Sequence, residues 1–453
     1  MKIRYYILLL IILAIAACKP EIDEFTPEKG DADFRSFLAL GNSLTAGYAD
    51  GALYKSAQEA SFVNIMAGQF AYVGGGDFKQ PLMIDDYGIG FQGVTPVPKF
   101  VLGPKEDCAG QISLAPVRAP LNVNLANLAP IGDQGPFNNI AVPGLKAGHV
   151  FFDQLATANP YYGRFAPDPN TPLINLTAAF DATFFSLWLG GNDVLGYAFS
   201  GGAEDQVTDP QQFETLFHQI LLACINNQSG DYAPAKGVVL NVPDVIDIPF
   251  FSFMNTQIPY NGLVLTAEQA VGLNMLYQKF GHPEITFQEG PNPWVVENSD
   301  GSWGRMTSED LFIMTLPTDS IKCFGMGVAN PDPANPYPIP IPHKYILDKA
   351  ETATVRNTIE QYNATIFGLC TEYELAHVDA NEILNHAKTG IIIDGYEFTS
   401  TFVQGNVFSL DGIHLTPAGS AMIAYYCIEA INMTYGANIP QVTVTDYYGV
   451  TFP

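Results

Sequence analysis

Short, nearly continuous apolar runs recur along the chain, and each stops at turn-forming residues. FLAL (37–40) stops at Gly41, NIAV (139–142) at Pro143-Gly144, and FFSLWL (184–189) at Gly190-Gly191. GVVLNV (237–242) stops at Pro243-Asp244 and LAHV (375–378) at Asp379. Continuous rather than alternating runs of this length are expected of parallel strands covered on both faces. Helix-period stretches lie between some of them, at 210–226 and 346–370. Strand alternating with helix predicts an α/β fold built on a doubly wound parallel sheet. The last periodic stretch predicts a helix with Thr416 as N-cap and Pro417 in its first turn. Met422, Ile423, Tyr426, Cys427, Ala430 and Ile431 share one face of it, and Gly436 ends it. Asp411 and His414 then fall in the loop just ahead of this helix.

The spacing of the runs is uneven. Residues 50–137, rich in Gly, Pro and aromatics, and residues 255–342 are both longer than one crossover requires. They read as two large insertions on a single domain spanning 34–453, the first a candidate lid that nothing in the sequence locates. PDPANPYPIPIP, with six prolines between Pro331 and Pro342, reads as an extended surface connection.

The amino terminus changes the picture. Lys2 and Arg4 precede an uncharged apolar run from Tyr5 to Ala17. It is too short for a bilayer, which takes about 20 residues, and has the build of a signal peptide at 1–17. Ile15-Ala16-Ala17-Cys18 resembles the lipobox of bacterial lipoproteins. The resemblance implies cleavage before Cys18, a lipid on its thiol, and membrane attachment in the cell envelope, at the outer membrane. The polar segment 18–33 that follows, acidic and proline-containing, reads as a flexible tether. Its acidic residues resemble a surface-export signal of some Gram-negative lipoproteins. The formal charge of −26, from 20 basic and 46 acidic residues, argues against nucleic acid or anionic lipid as a partner drawn by long-range attraction. Of the six cysteines, none forms a CxxC pair. Besides Cys18 five remain, so at least one stays unpaired within the chain.

Ligands of open α/β sheets bind at the carboxyl ends of the strands. There the sequence puts Gly41-Asn42-Ser43-Leu44, Pro143-Gly144 and Gly191-Asn192-Asp193, and Asp411-Gly412-Ile413-His414 precedes the last helix. These are the parts for acyl transfer. A serine hydroxyl needs an adjacent base to become a nucleophile. His414 is that candidate base, and Asp411 the residue that would orient its ring. The backbone N–H groups of Ser43 and Gly144 and the amide of Asn192 are candidate oxyanion donors, and a helix beginning at Ser43 would add a local dipole. Asp193 reads as a local structural hydrogen-bonder. His149, His218, His282, His343, His377 and His386 show no metal-ligand spacing.

GNSL, the glycine of AVPG, GGND and DGIH resemble, in order, the four blocks of the SGNH (or GDSL) hydrolases. The match implies a flavodoxin-like three-layer α/β/α fold with a parallel sheet. It also implies a triad of Ser43, His414 and Asp411, an oxyanion hole of Ser43, Gly144 and Asn192, and no metal or cofactor. The implied substrate is an ester: a small molecule, a lipid or an acylated glycan. The family's usual aspartate before the serine is Asn42 here. Phe250, Phe251, Phe253 and Met254, in the stretch after GVVLNV, are candidates for the wall of an acyl pocket or for an ordinary core loop. The rival from another class is a surface-binding lipoprotein that kept the scaffold and lost the activity, in which His414 would not approach Ser43.

Overall fold

The computed structural model describes residues 25–120, 122–226 and 233–453. The signal peptide and Cys18 lie outside the described residues. Four of the apolar runs form one parallel sheet: β1 (Phe37–Gly41), β2 (Phe184–Trp188), β3 (Lys236–Leu240) and β4 (Ala376–Val378), hydrogen-bonded in that order. The register runs Phe37 to Phe184 and Phe184 to Lys236, with Ala376 opposite Val238. Every residue of β1 and β2 is buried, as continuous apolar runs require of strands covered on both sides.

The fifth run, 139–142, differs from the expectation. It lies beside β1 in parallel but forms a single bridge, Ala39 with Asn139, and no regular strand. The Asn138 carbonyl accepts from the Ala39 N–H at 2.8 Å, and the Val142 N–H donates to the Gly41 carbonyl at 3.0 Å. The Ile140 N–H also reaches the Ala39 carbonyl at 3.0 Å. The Ala141 N–H, which alternation turns away from β1, is accepted by the Asn139 side chain at 3.1 Å, while that side chain donates to the Thr45 carbonyl at 3.0 Å.

Helices cover the sheet in two pairs. The first pair is α2 (Phe62–Phe70) and the C-terminal α9 (Pro417–Tyr435). Phe70 and Tyr435 both pack edge-on to Phe184, and Phe62 edge-on to Trp188. The second pair is α4 (Pro210–Ile225) and α7 (Lys349–Glu372), joined by Phe213 stacked on Tyr362 with ring centres 3.8 Å apart. Their starts are set by caps. The Asp209 carboxylate accepts from the N–H groups of Gln211 and Gln212, with Pro210 as first helical residue. Asp348 and Glu351 form a capping box, so α7 begins after the Ile346–Leu347 strand rather than within it. Thr416 caps α9 as expected, and Gly436 ends it at φ +60°.

Two further findings revise the expected layout. The described part of the segment read as a tether is docked on the body. The Asn438 side chain donates to the Thr26 carbonyl at 2.7 Å, Asn438 and Glu28 pair through their backbones, and the Asp31 N–H donates to the Tyr435 carbonyl at 2.9 Å. The chain is therefore docked on the end of α9 from Thr26 onward. The two long connections are also joined to each other. Cys108, at the tip of the hairpin Phe100–Glu106/Ile112–Arg118, forms a disulfide with Cys323 in the short helix Thr318–Phe324. Lys322 pairs with Asp107 beside it. Cys224, Cys370 and Cys427 are buried thiols. The second connection carries its own small core, around Trp294, Phe312, Met326 and Ile341. Its proline segment is extended only in part: it opens with a turn closed by the Asn335 N–H on the Asp332 carbonyl at 3.1 Å, and Pro338–Ile339 then pairs with Val328–Ala329.

The Tyr435 hydroxyl ties α9 to the sheet. It donates to the Gly237 carbonyl at 2.6 Å and accepts from the Gly237 and Ala376 N–H groups at 3.2 and 3.1 Å. Tyr435→Phe leaves two buried backbone donors unpaired, so the expected cost is about 1–3 kcal/mol. Urea denaturation checks this: an unchanged midpoint would show that the hydroxyl carries no such load.

Candidate active site

β1 ends at Gly41, where a side chain would meet the Thr45 hydroxyl at 2.1 Å and the Trp188 carbonyl at 3.0 Å, so only glycine lets the chain turn here. One helical turn follows, α1 (Ser43–Ala46), capped by Asn42, whose side-chain oxygen accepts the Leu44 N–H at 3.1 Å. The cap needs an acceptor and not a charge, and the amide supplies it. With only one turn behind it, Ser43 gains little from a helix dipole.

The Ser43 hydroxyl lies 2.8 Å from His414 Nε2. His414 Nδ1 lies 2.8 Å from Asp411 Oδ2. An ionised carboxylate only accepts, so the ring proton belongs on Nδ1. Nε2 is left with its lone pair toward the serine O–H. Ser43 and Asp411 are both 8% exposed, which shields this chain of bonds from competing water.

Asp411 receives four more donors. The Gly51 N–H reaches Oδ2 at 2.7 Å. The N–H groups of Ile413 and His414, both at 2.9 Å, and the Ser409 hydroxyl at 3.2 Å reach Oδ1. Burial alone would raise this carboxyl. The charge of a protonated His414 and these hydrogen bonds outweigh it and hold the group well below the usual carboxylate range. Ser409 in turn accepts the Asp50 N–H at 2.9 Å. The Asp50 carboxylate accepts from the Leu410 N–H at 3.0 Å and the Tyr54 hydroxyl at 2.6 Å. Tyr48 packs on the imidazole, ring centres 4.6 Å apart.

The candidate oxyanion donors come from three segments, and the turn after β2 that carries one of them brings Gly191 near the Asn42 amide. The first-turn N–H of Ser43 has no intrahelical acceptor. Among the described residues neither it nor the Gly144 N–H is given one elsewhere. Gly144 sits at φ +79°, with open space where a side chain would be. Asn192, in α3 (Gly191–Phe199), uses one amide hydrogen on the Leu145 carbonyl at 3.1 Å and keeps the other. Asp193, fully buried, accepts the Ala147 N–H at 3.1 Å and the Thr208 hydroxyl at 2.8 Å. Asn192 and Asp193 thus tie the loop carrying Gly144 to the turn after β2, and Asp193 is the local hydrogen-bonder its sequence position suggested.

Sequence reasoning missed Tyr48, Asp50, Gly51 and Ser409. The Asp-Gly pair was a hairpin-turn signal, and Asp50 and Gly51 do take φ +53° and +69° between the short strands Tyr48–Ala49 and Ala52–Leu53. Nothing in the sequence says that this turn meets Asp411, 360 positions away. The expected apolar wall is largely core. In α5 (Pro249–Gln257), Phe251 packs against Phe199, Met254 joins the core of the second connection, and Phe253 packs on Phe402. Only Phe250 adjoins the site, through its backbone N–H, which donates to the Gly412 carbonyl at 3.0 Å. Helical spacing turns Phe250, Phe251 and Met254 inward. Among the described residues no three His, Cys, Asp or Glu side chains are grouped to hold a metal ion, and no helix is long and apolar enough to cross a membrane.

No protein-family model matches the chain, and no curated protein is significantly similar to it.

Burial pushes the Asp193 carboxyl up to about 6, against the hydrogen bonds from Thr208 and Ala147. The folded state therefore holds this proton more tightly than the unfolded chain. Asp193 favours folding at low pH, and this contribution is lost as pH rises from about 4 through about 6. Asp193→Asn cannot titrate. The gap in urea midpoint between native and variant should shift in the variant's favour across that window. A gap that is flat with pH would rule out the raised carboxyl.

Proposed function

We propose that the chain is a serine hydrolase of the SGNH type that cleaves carboxylic esters through an acyl-enzyme on Ser43. His414 Nε2 takes the Ser43 proton as the oxygen attacks the ester carbonyl, and returns it to the departing alkoxide. A water then attacks the acyl-enzyme by the same exchange, releasing the acid and restoring Ser43. Asp411 holds the ring and stabilises the imidazolium between the two transfers. The Ser43 and Gly144 N–H groups and the second amide hydrogen of Asn192 receive the negative charge on the tetrahedral oxygen.

One observation carries the reading: a continuous bond chain of 2.8 and 2.8 Å from Ser43 through His414 to a buried, five-donor carboxylate. A binding-only relic has no need of that approach. The sheet order adds support. With 138–142 counted as the strand beside β1, it is the 2-1-3-4-5 order of flavodoxin-like folds, whose ligands bind at the switch point between the first and third strands. Ser43 and Asn192 follow those two strands. On this reading the segments 50–137 and 255–342 are insertions on the one hydrolase domain. The chain is a lipoprotein held at the outer membrane through Cys18, and acylated glycans remain candidate substrates beside simple and lipid esters.

The test is hydrolysis of p-nitrophenyl esters from acetate to palmitate. Ser43→Ala and His414→Ala should each lower kcat about 10⁴-fold or more while leaving circular dichroism and the urea midpoint near the native values. Substantial turnover in either variant would sink the triad. The chain-length profile separates deacetylase-like from lipase-like action.

A further inference from the structure

The described amino terminus and the catalytic serine lie at opposite edges of the sheet. Ser43 follows Gly41, the last residue of β1. Tyr435, at the far end of α9, touches the beginnings of three strands: its ring packs on Phe184 and its hydroxyl bonds to Gly237 and Ala376. α9 therefore descends the sheet from the site to the opposite edge. It starts three residues after His414, and its 19 residues cover about 28 Å. Thr26, Glu28 and Asp31 are bonded to Asn438 and Tyr435 at its lower end. That is where the chain leading from Cys18 meets the folded body.

Eight residue steps separate Cys18 from Thr26. Fully extended they span at most about 28 Å. Climbing back to the height of His414 would consume that whole length, before any allowance for going around the body. A lipid on Cys18 would thus hold the amino edge of the sheet against the membrane and the carboxyl edge away from it. The charge of −26 opposes laying the body flat on an anionic surface.

We infer that the active site faces away from the membrane that carries the protein, and that its substrates are esters presented from the aqueous side, small or polymer-borne, rather than acyl lipids of that membrane. This rests on the lipid-anchored esterase proposed above.

The test uses the full lipidated chain in vesicles containing an acceptor-labelled lipid. A donor dye is placed on Ser43→Cys in one sample and on Met433→Cys, in the exposed last turn of α9, in another. Energy transfer should be strong from position 433 and several-fold weaker from position 43. A Gly/Ser spacer of roughly 40 residues inserted before Phe25, with a reach of about 35 Å, should bring the two together. Transfer from position 43 equal to or above that from 433 at native tether length overturns the inference. In parallel, the native chain should hydrolyse p-nitrophenyl butyrate equally when anchored and when in detergent. It should leave a fluorogenic acylglycerol in its own vesicle about tenfold or more slower than the same ester in detergent micelles, or uncleaved in both, since geometry that forbids engagement removes the gain from tethering. Cleavage in the vesicle at the micelle rate also overturns it. Absence of butyrate turnover would sink the esterase and leave the transfer measurement standing. Failure to float with vesicles would sink the anchor and the inference with it.

Discussion

A buried carboxylate is costly unless enough donors surround it, and Asp411 shows how much of a chain that requirement can organise. Its five donors come from two places far apart in sequence: the Ser409–His414 loop that carries it and the Asp50–Gly51 turn just after β1. The turn places a non-glycine residue, Asp50, at positive φ, a conformation aspartate tolerates better than most. The same turn sends the Asp50 N–H to Ser409 and takes the Leu410 N–H in return. The loop and the turn thus fix each other, and the ring of His414 is fixed by both. The serine needs only to sit at the end of β1 for the bond chain to close.

The other half of the site is held by a separate device. Asn192 and Asp193 leave the turn after β2 and grip the loop after Gly144 from two sides, through the Leu145 carbonyl and the Ala147 N–H. In the proposed reaction, donors placed in advance of the developing charge would need no rearrangement. The charge-bearing carboxylate and the donor cluster are thus supported by different chain segments. A change in one support, such as the protonation of Asp193, leaves the other's hydrogen bonds as they are.

What could be read from the sequence follows from how local each signal is. The four regular strands and the helices at 210–225 and 417–435 were legible because burial on two faces, caps and stop residues act within a few positions. Ser43, Gly144, Asn192 and His414 were legible because each sits at a strand end or loop with its own turn chemistry. NIAV was apolar enough for a strand and does bond to Ala39 and Gly41 of β1, but on its other side the Ala141 N–H is taken by the Asn139 side chain instead of a further strand. The acidic segment before Phe34 looked solvated by composition, yet its backbone finds partners at Asn438 and Tyr435. Phe250, Phe251, Phe253 and Met254 show the limit of composition most plainly. Apolar residues announce burial and do not say in which core, and here Phe250 and Phe251 join the main core while Phe253 and Met254 join that of the second connection. The disulfide between Cys108 and Cys323 joins segments 215 positions apart, a pairing that no spacing rule reaches.

Asn42 is the one place where the chain departs from the resemblance it otherwise keeps, and the local geometry says what the position requires. Its oxygen accepts the Leu44 N–H and closes the turn that presents Ser43. Its amide nitrogen lies near Gly191, the residue before the oxyanion candidate Asn192. A carboxylate would cap the same N–H, because capping asks only for an acceptor. It would also set a negative charge beside Gly191, in a buried spot where screening is weak and next to the residue proposed as an oxyanion donor. The amide keeps the turn and omits that charge. The asparagine is therefore compatible with the position of Ser43, and the demand at residue 42 is one of hydrogen-bond geometry rather than of charge.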